Sequence, residues 1–342
     1  MALTTRAETA MQKAILMIEN GFEQRVPDAD TVAFIQDGTE QCVPASELLK
    51  LKKGSERPIS IASYAKHSTT IRTARAITAA TPDSTTMAQQ LSWSTVGFHV
   101  DLAPIESDEQ IDNAVMDFKN KLMSGIRSAV LDMTTKGNTW LEASKTTVFA
   151  AAPEISGITV GASSIDVLKT SFFESLPVYM RKQALTGDFD LLTNIGFMQI
   201  ENEYKKYGAG NSQNLGQFLN GINPYYASSL VPAAGDKIKA YAKQRGTTGM
   251  VTWIEEDAKR NINTDVVSYY QQPLTFTTLN GKAITFNFGV MEQSAPKDLS
   301  ARVPGGQRAY RTEYGFYFDY AFVKTQSSTA GDTPITKVTS LL

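Results

Sequence analysis

One apolar stripe constrains this chain more than any other feature. Ile111, Val115, Phe118, Leu122, Ile126, Ala129 and Met133 recur at steps of three or four, the spacing that lines one face of an α-helix. Ser107 and Gln110 form a capping box, and Asp108 and Glu109 suit the positive end of a helix dipole. Gly137 follows Lys136 as a C-cap. No proline falls between Pro104 and Pro153. A helix over 107–136 is expected. At about 1.5 Å per residue it would run roughly 40 Å, longer than most globular helices. An unbroken stripe needs a surface of equal length to cover it. Its sparse charged flanks favour a flat domain over a coiled-coil partner.

Strand signals lie on both sides of this rod. Val96, Phe98, Val100 and Leu102 alternate with Thr95, Gly97, His99 and Asp101, which predicts a half-buried strand. Before it come a limb with Ile71, Arg72, Arg75 and Ile77 and a polar tip, Thr78 to Met87. Residues 59–104 therefore read as a long hairpin, an element that is marginal without another surface to lie on. Near the C-terminus Ile284, Phe286, Phe288 and Val290 alternate cleanly. So do Tyr310, Thr312, Tyr314, Phe316, Phe318, Tyr320 and Phe322. So aromatic a strand should sit mid-sheet on the long helix.

The remaining segments give weaker signals. Ala7, Met11, Ile15, Ile18 and Phe22 predict an amphipathic helix that docks on its own core or on a neighbour. Its apolar run, Ala14 to Ile18, is too short for a secretory leader or a membrane span. Residues 20–60 read as an extended arm, apart from a short helix after Pro44. Residues 146–150 predict a short strand, and 164–186 a helix kinked at Pro177. Asp188 is expected to open a helix carrying Phe197, Ile200, Tyr204 and Tyr207 and closed by Gly208. Residues 215–265 read as helices mixed with loops, and the Ser/Thr-rich tail after Lys324 as loose.

Composition narrows the chemistry. Of 342 residues 42% are hydrophobic and 20% charged, so the chain folds. Thirty-three Lys and Arg against 35 Asp and Glu give a net charge of −2, unlike a strongly basic nucleic-acid binder. Cys42 is the single cysteine, and His67 and His99 are the two histidines. An intrachain disulfide, a cysteine zinc cluster and a histidine-rich metal site are thereby excluded. Gly208-x-Gly210 lacks the third glycine and the preceding strand of a dinucleotide fingerprint. Glu201 and Glu203 would fall on different helix faces, and Glu255, Glu256 and Asp257 read as a solvated face. No Gly-x-Ser-x-Gly elbow accompanies either histidine. Lys66, Arg72, Arg75, Lys119, Lys121 and Arg127 lack interleaved aromatics and read as inter-chain salt bridges and solvated faces. Catalytic residues, cofactor and metal are all expected to be absent.

The order of these elements resembles the major capsid proteins of tailed bacteriophages with the HK97-like fold. Leu91-Ser-Trp-Ser-Thr-Val-Gly-Phe-His-Val100 is similar to the returning limb of their extension loop, and Asp108 to Lys136 to their spine helix. Thr186 to Asn194 with Gly208 to Asn211 is similar to the axial domain, and Tyr310 to Val323 to the closing strand of the peripheral domain. The resemblance implies an α+β fold divided as follows: N-terminal arm 1–58, extension loop 59–104, peripheral domain 105–160, axial domain 161–280, peripheral strands 281–325 and loose tail 326–342. It implies a non-enzymatic protein that assembles into pentamers and hexamers, forming an icosahedral shell around double-stranded DNA. The implied location is the virion, after assembly in the host cytoplasm. Implied partners are neighbouring capsomers, scaffold, portal and decoration proteins, and non-specifically held DNA, with no membrane. The arm is short for a cleavable scaffolding segment, so a separate scaffold, or none, is expected. Implied assembly contacts are Arg72, Arg75, Trp93, Phe98, Gly208, Gly210 and Asn211. A bacterial nanocompartment shell and, more remotely, a carboxylate-dependent hydrolase are the alternatives. Deleting Thr78 to Met87 should leave folded protomers that form no stable shells in electron micrographs, because the hairpin tip lies across a neighbour.

Overall fold

The stripe is a helix, and it outruns its own periodicity. The computed structural model describes residues 2–20, 26, 28–54, 56–57, 60–64, 86–102, 108–145, 176–178, 180–181, 187–198, 221–234, 238–264, 267–278, 281–298, 308–325 and 335–340. Among these the elements preceding the long helix are α1 (Ala2–Asn20), α2 (Ala29–Gln36), α3 (Thr39–Cys42), α4 (Ala45–Lys53), β1 (Ser60–Tyr64), β2 (Thr86–Gln90) and β3 (Ser94–Leu102). The long helix is α5 (Ile111–Ser144), entered through a 3₁₀ turn at Asp108–Gln110. After it come β4 (Phe189–Asn194), β5 (Ile222–Ala227), β6 (Ile238–Gln244), β7 (Thr248–Trp253), β8 (Val267–Thr277), β9 (Ala283–Asp298), β10 (Arg308–Lys324) and β11 (Ile335–Ser340).

The 34 residues of α5 span about 50 Å at the helical rise. Val115, Phe118, Leu122, Ile126, Ala129 and Met133 are buried, and Ile111 packs half-buried beside them. The expected C-cap at Gly137 is not one. The apolar spacing continues through Gly137, Leu141 and Ser144, all buried. The bare Cα of Gly137 admits α2: a Cβ there would lie 3.1 Å from Ile35 Cδ1 and 3.3 Å from Thr31 Cγ2. The N-terminal boundary also moves. Gln110 itself is the N-cap, with helical backbone and no side-chain cap, and Ser107 lies outside the described residues.

The surface under α5 is a five-stranded antiparallel sheet ordered β3–β10–β9–β8, with β7 paired to the far end of β10. As expected, β10 is central, flanked by β3 over Thr312–Tyr320 and by β9 over Arg308–Tyr317. Its alternate residues Tyr314, Phe316, Phe318, Tyr320 and Phe322 are buried. The helix meets them at both ends: Phe118 is edge-on to Tyr314 at 5.3 Å, and Trp140 lies 5.5 Å from Phe322. Between them Phe288 and Phe318 pack edge-to-face at 5.0 Å. The reverse face of β10 is smaller: Ala321 and Val323 pack with Val43, Leu51 and Leu91 in a second cluster under α3 and α4. The N-terminal helix docks on this body. Ala7, Met11, Ile15 and Ile18 are buried, and the Tyr270 hydroxyl of β8 donates to Met11 Sδ at 3.2 Å.

Several expectations give way to the tertiary structure. The hairpin of 59–104 is divided: β1 and β2 pair as a separate two-stranded sheet, whereas β3 joins the large sheet through β10. Val96 to Leu102 is therefore sheet, and the returning limb is Thr86–Gln90. Within the supposed arm, α2 is a helix whose residues Ala29 to Ile35 are all buried. Such a segment has no solvent-facing side, and its polar residues Asp30 and Thr31 are buried with the apolar ones, so it leaves no periodic signal. The expected helix at Asp188 is instead strand β4, buried from Phe189 to Thr193. β4 lies inside a second sheet ordered β11–β6–β4–β5. Covered on both faces, it cannot alternate. Strand β5 contains Pro224 and is an edge of that sheet, a position where a missing N–H is tolerated. Among the described residues of 215–265 lie three strands and the helical turn Glu256–Lys259. Of 161–280, the span Phe189 to Gln244 builds the smaller sheet, and Thr248 to Thr277 joins the larger. The tail contains β11, paired to β6 with Ile335 and Val338 buried. Phe22, 146–150 and 199–220 lie outside the described residues.

Phe118 is fully buried against Tyr314. Phe118→Asp places an unpaired carboxylate in that contact, and should cost more than about 4 kcal/mol. The expected readout is loss of soluble folded protein by expression and circular dichroism.

Candidate functional site

The two sheets are joined by α2, whose two ends are fixed by polar contacts. At its start Asp28 has φ 66°, a left-handed conformation that costs energy in a non-glycine residue. Its surroundings hold it there: Asp28 Oδ1 accepts the Ser228 and Ser229 backbone N–H groups at 2.9 and 3.0 Å, and its carbonyl accepts Thr134 Oγ1 at 2.8 Å. At the other end the α2–α3 turn meets the β6–β7 turn. A Cβ on Gly38 (φ 87°) would fall 2.4 Å from the Gly246 nitrogen, so only glycine permits this approach.

A charged node fills that junction. Asp190 of β4 and Lys243 of β6 are directly opposite in the ladder, and both side chains are fully buried, 3.6 Å apart. Lys243 Nζ also donates to the Asp37 carbonyl at 3.0 Å and to Thr248 Oγ1 at 2.7 Å, and lies 4.8 Å over the Phe34 ring. Asn223 donates to Asp190 at 3.2 Å. Above the pair, Asp37 accepts the Tyr225 hydroxyl at 2.6 Å and Arg245 at 3.0 Å. Lys282 Nζ lies 3.6 Å from the Tyr225 ring centroid. Asp37, Lys52, Asp188, Arg245 and Lys282 line an open cleft of about 860 Å³ over this node.

Electrostatics assigns the node a structural role. Burial pushes Lys243 down to about 8, although Asp190 and Asp37 oppose the change. Burial likewise raises Asp190, against the pull of Lys243. For Asp37 burial acts upward, but the Tyr225 hydrogen bond and Arg245 outweigh it and hold the carboxyl below its usual value. An ionised, doubly bonded carboxylate is a poor general acid, and an amine with no exposed surface reaches no substrate. Cys42 is equally inert: burial pushes its thiol up to about 11, far from thiolate chemistry at neutral pH. Among the described residues no group of three or more His, Cys, Asp or Glu gathers around a metal position, and no helix is long and apolar enough to cross a membrane.

The residues singled out from sequence fall as follows. Trp93 is half-buried in the cluster under α4, with the Arg57 guanidinium 5.8 Å over its ring. The Phe98 ring stacks on Phe316 at 5.2 Å and presses on α5 at Gly125, where a Cβ would lie 2.3 Å from the ring. Both therefore have partners within their own chain. Arg72, Arg75, Gly208, Gly210 and Asn211 lie outside the described residues, as do Lys66, Glu201 and Glu203. Lys121 makes ion pairs within its own chain, with Asp117 at 2.7 Å and Asp101 at 3.3 Å. His99 is exposed on its strand, and Glu256 pairs with Arg260 on the surface. Sequence reasoning missed Asp37, Asp190 and Lys243. Their separation along the chain leaves no local pattern, and only the strand pairing brings them together.

No family model and no curated protein matches the chain. Its structure is similar to solved phage structures over most of its length. For the capsid of Ralstonia phage GP4 the TM-score is 0.44 at 9% identity, covering 82% of this chain and 83% of that chain. The cyanophage A-1(L) capsid asymmetric unit gives 0.44 at 13% identity, with 93% of each chain covered. A chain of Mycobacterium phage Adephagia gives 0.42 at 12% identity, covering 91% of this chain and 89% of that chain.

The buried pair makes a prediction of sign. Lys243→Met or Asp190→Leu alone strands a buried charge and should cost about 3–5 kcal/mol in urea unfolding. The double variant should cost less than either single one. In the parent the folded amine titrates near 8 and the unfolded one near 10.5. The unfolded chain thus holds more protons between those values, and stability should rise with pH across that window. Lys243→Met should make the rise shallower by this residue's share, while Lys145, also pushed down to about 8, keeps its own.

Proposed function

We propose that this chain is the major capsid protein of a tailed phage, a non-enzymatic shell subunit. The observation that carries the reading is the β1–β2 ribbon, a two-stranded sheet that among the described residues joins neither of the other two. A ribbon of this kind is marginal alone and gains stability when laid across a neighbouring copy. Contacts made head-to-tail in that manner are satisfied when copies close into rings. The long helix over a broad sheet supplies a stiff body from which such a ribbon can reach out. On this reading copies form pentamers and hexamers that tile an icosahedral shell around double-stranded DNA, with scaffold, portal and decoration proteins as further partners. Assembly precedes packaging in the host cytoplasm, and the mature location is the virion. A net charge of −2 suits a lining that does not grip DNA tightly.

Size-exclusion chromatography and electron microscopy of the purified full chain test this directly. Rings, sheets or closed shells are expected. A stable monomer across protein concentration and ionic strength would overturn the reading.

A further inference from the structure

A second charged cluster closes the far end of α5. Glu142 lies in the last turn and Lys145 is the C-cap residue. Lys239 and Tyr241 come from β6, and Lys337 of β11 stands directly opposite Tyr241 in the ladder. Residues two apart on a strand share a face, so Lys239, Tyr241 and Lys337 all face the helix end. Lys337 Nζ is 2.9 Å and Lys239 Nζ 3.7 Å from the Glu142 carboxylate. Lys145 Nζ and the Tyr241 hydroxyl also contact it.

The charges do not balance. Three ammonium groups meet one carboxylate, Glu142 being the acid they contact among the described residues. The negative end of the helix dipole offsets about half a charge more. Roughly one and a half positive charges remain, and the lysine side chains keep only 20%, 20% and 18% of their exposure. Cations so far withdrawn from water are poorly screened. Glu142 is more open, at 37%, so an anion approaching from solvent can reach the group.

We propose that Lys145, Lys239 and Lys337 form a binding site for a phosphate group. Three ammonium groups around one position provide many donors for tetrahedral oxygens. Free phosphate and a phosphate of a DNA backbone share this chemistry. The free-phosphate arm of the test is independent of the shell reading, and the duplex arm rests on it.

Inorganic phosphate is titrated calorimetrically into the full chain at low salt. Saturable binding is expected, with Lys337→Met weakening it about tenfold or more, as for loss of a charge-assisted contact. Glu142→Gln gives the opposite sign: removing the competing carboxylate should tighten phosphate severalfold, whereas a merely structural cluster would bind no better. Lys145→Met, at the helix boundary, provides a second weakening variant should Lys337→Met fold poorly. Anisotropy with a short DNA duplex then identifies the source. Binding that phosphate competes away, with a salt slope reduced by about one in Lys337→Met, assigns the site to DNA. Phosphate binding without that duplex dependence assigns it to the free ion. Absence of saturable phosphate binding in both the parent and Glu142→Gln, or affinity unchanged in both lysine variants, overturns the proposal.

Discussion

The rest of the molecule depends on the buried apolar contact between α5 and the aromatic face of β10. A strand bearing Tyr314, Phe316, Phe318, Tyr320 and Phe322 on one side presents a ring surface that β3, β7 and β9, paired beside it in the same sheet, cannot cover. A helix of matching length closes it. The contact is specific because the rings interlock. Phe316 carries Phe98, Phe286 stacks on Phe318 at 5.4 Å, and Phe288 is edge-on to both Phe316 and Phe318. Each such pair contributes about 0.5–1.5 kcal/mol beyond its buried area. The glycines of α5 serve the same end, since Gly125 and Gly137 sit where Phe98 and Ile35 press against the helix. The helix gives up propensity of about 1 kcal/mol at each of these positions to let its neighbours approach.

Attachment of the smaller sheet uses a different device. Its strand β5 meets α2 through Tyr225, edge-on to Phe34 at 5.6 Å, and Leu192, Tyr225 and Tyr241 belong to the same continuous core as α5 and β10. Apolar contact alone would leave the orientation loosely specified. The Asp190–Lys243 pair and the Asp37 contacts make one arrangement distinct, because a shifted register would leave a charge buried without its partner. A buried ion pair contributes little net stability against an apolar replacement. Its consequence here is uniqueness of docking, enforced at the junction where two turns also touch through Gly38 and Gly246.

How much of this was legible in the sequence follows from how each element is covered. Elements with one wet face were readable: the stripe of α5, the alternation of β9 and β10, and the docking face of α1. Elements covered all round were not. α2 and β4 have no solvent-facing side to set a period, so one passed for arm and the other for helix. β11 was hidden for another reason, since its partner β6 lies about ninety positions upstream and nothing local marks the pairing. The same distance conceals both charged clusters. Lys145, Lys239 and Lys337 look like ordinary surface lysines until the ladder and the helix end bring them together. The functional resemblance rested on element order, which tolerates such local errors. Helix and sheet signals remained in sequence even where a strand was read as a helix.

The division of residues 59–104 bears most directly on assembly. Had the whole segment been a free hairpin, an isolated subunit would lack an edge of its main sheet. Instead Ser94–Leu102 completes that sheet along Thr312–Tyr320, and the core runs from α1 to β11 within one chain. Among the described residues the body thus buries a continuous core of its own, from which the β1–β2 ribbon stands apart. On the proposed shell reading, this separation has a kinetic consequence. A protomer with a complete core can fold before it meets its partners, which limits exposure of the aromatic strand to misassembly. On that reading the separate β1–β2 ribbon adds affinity without being required for folding of the body. If the proposed ring contacts are made by so small an element, each is weak and reversible, and weak contacts allow misplaced subunits to leave before a closed shell locks them in.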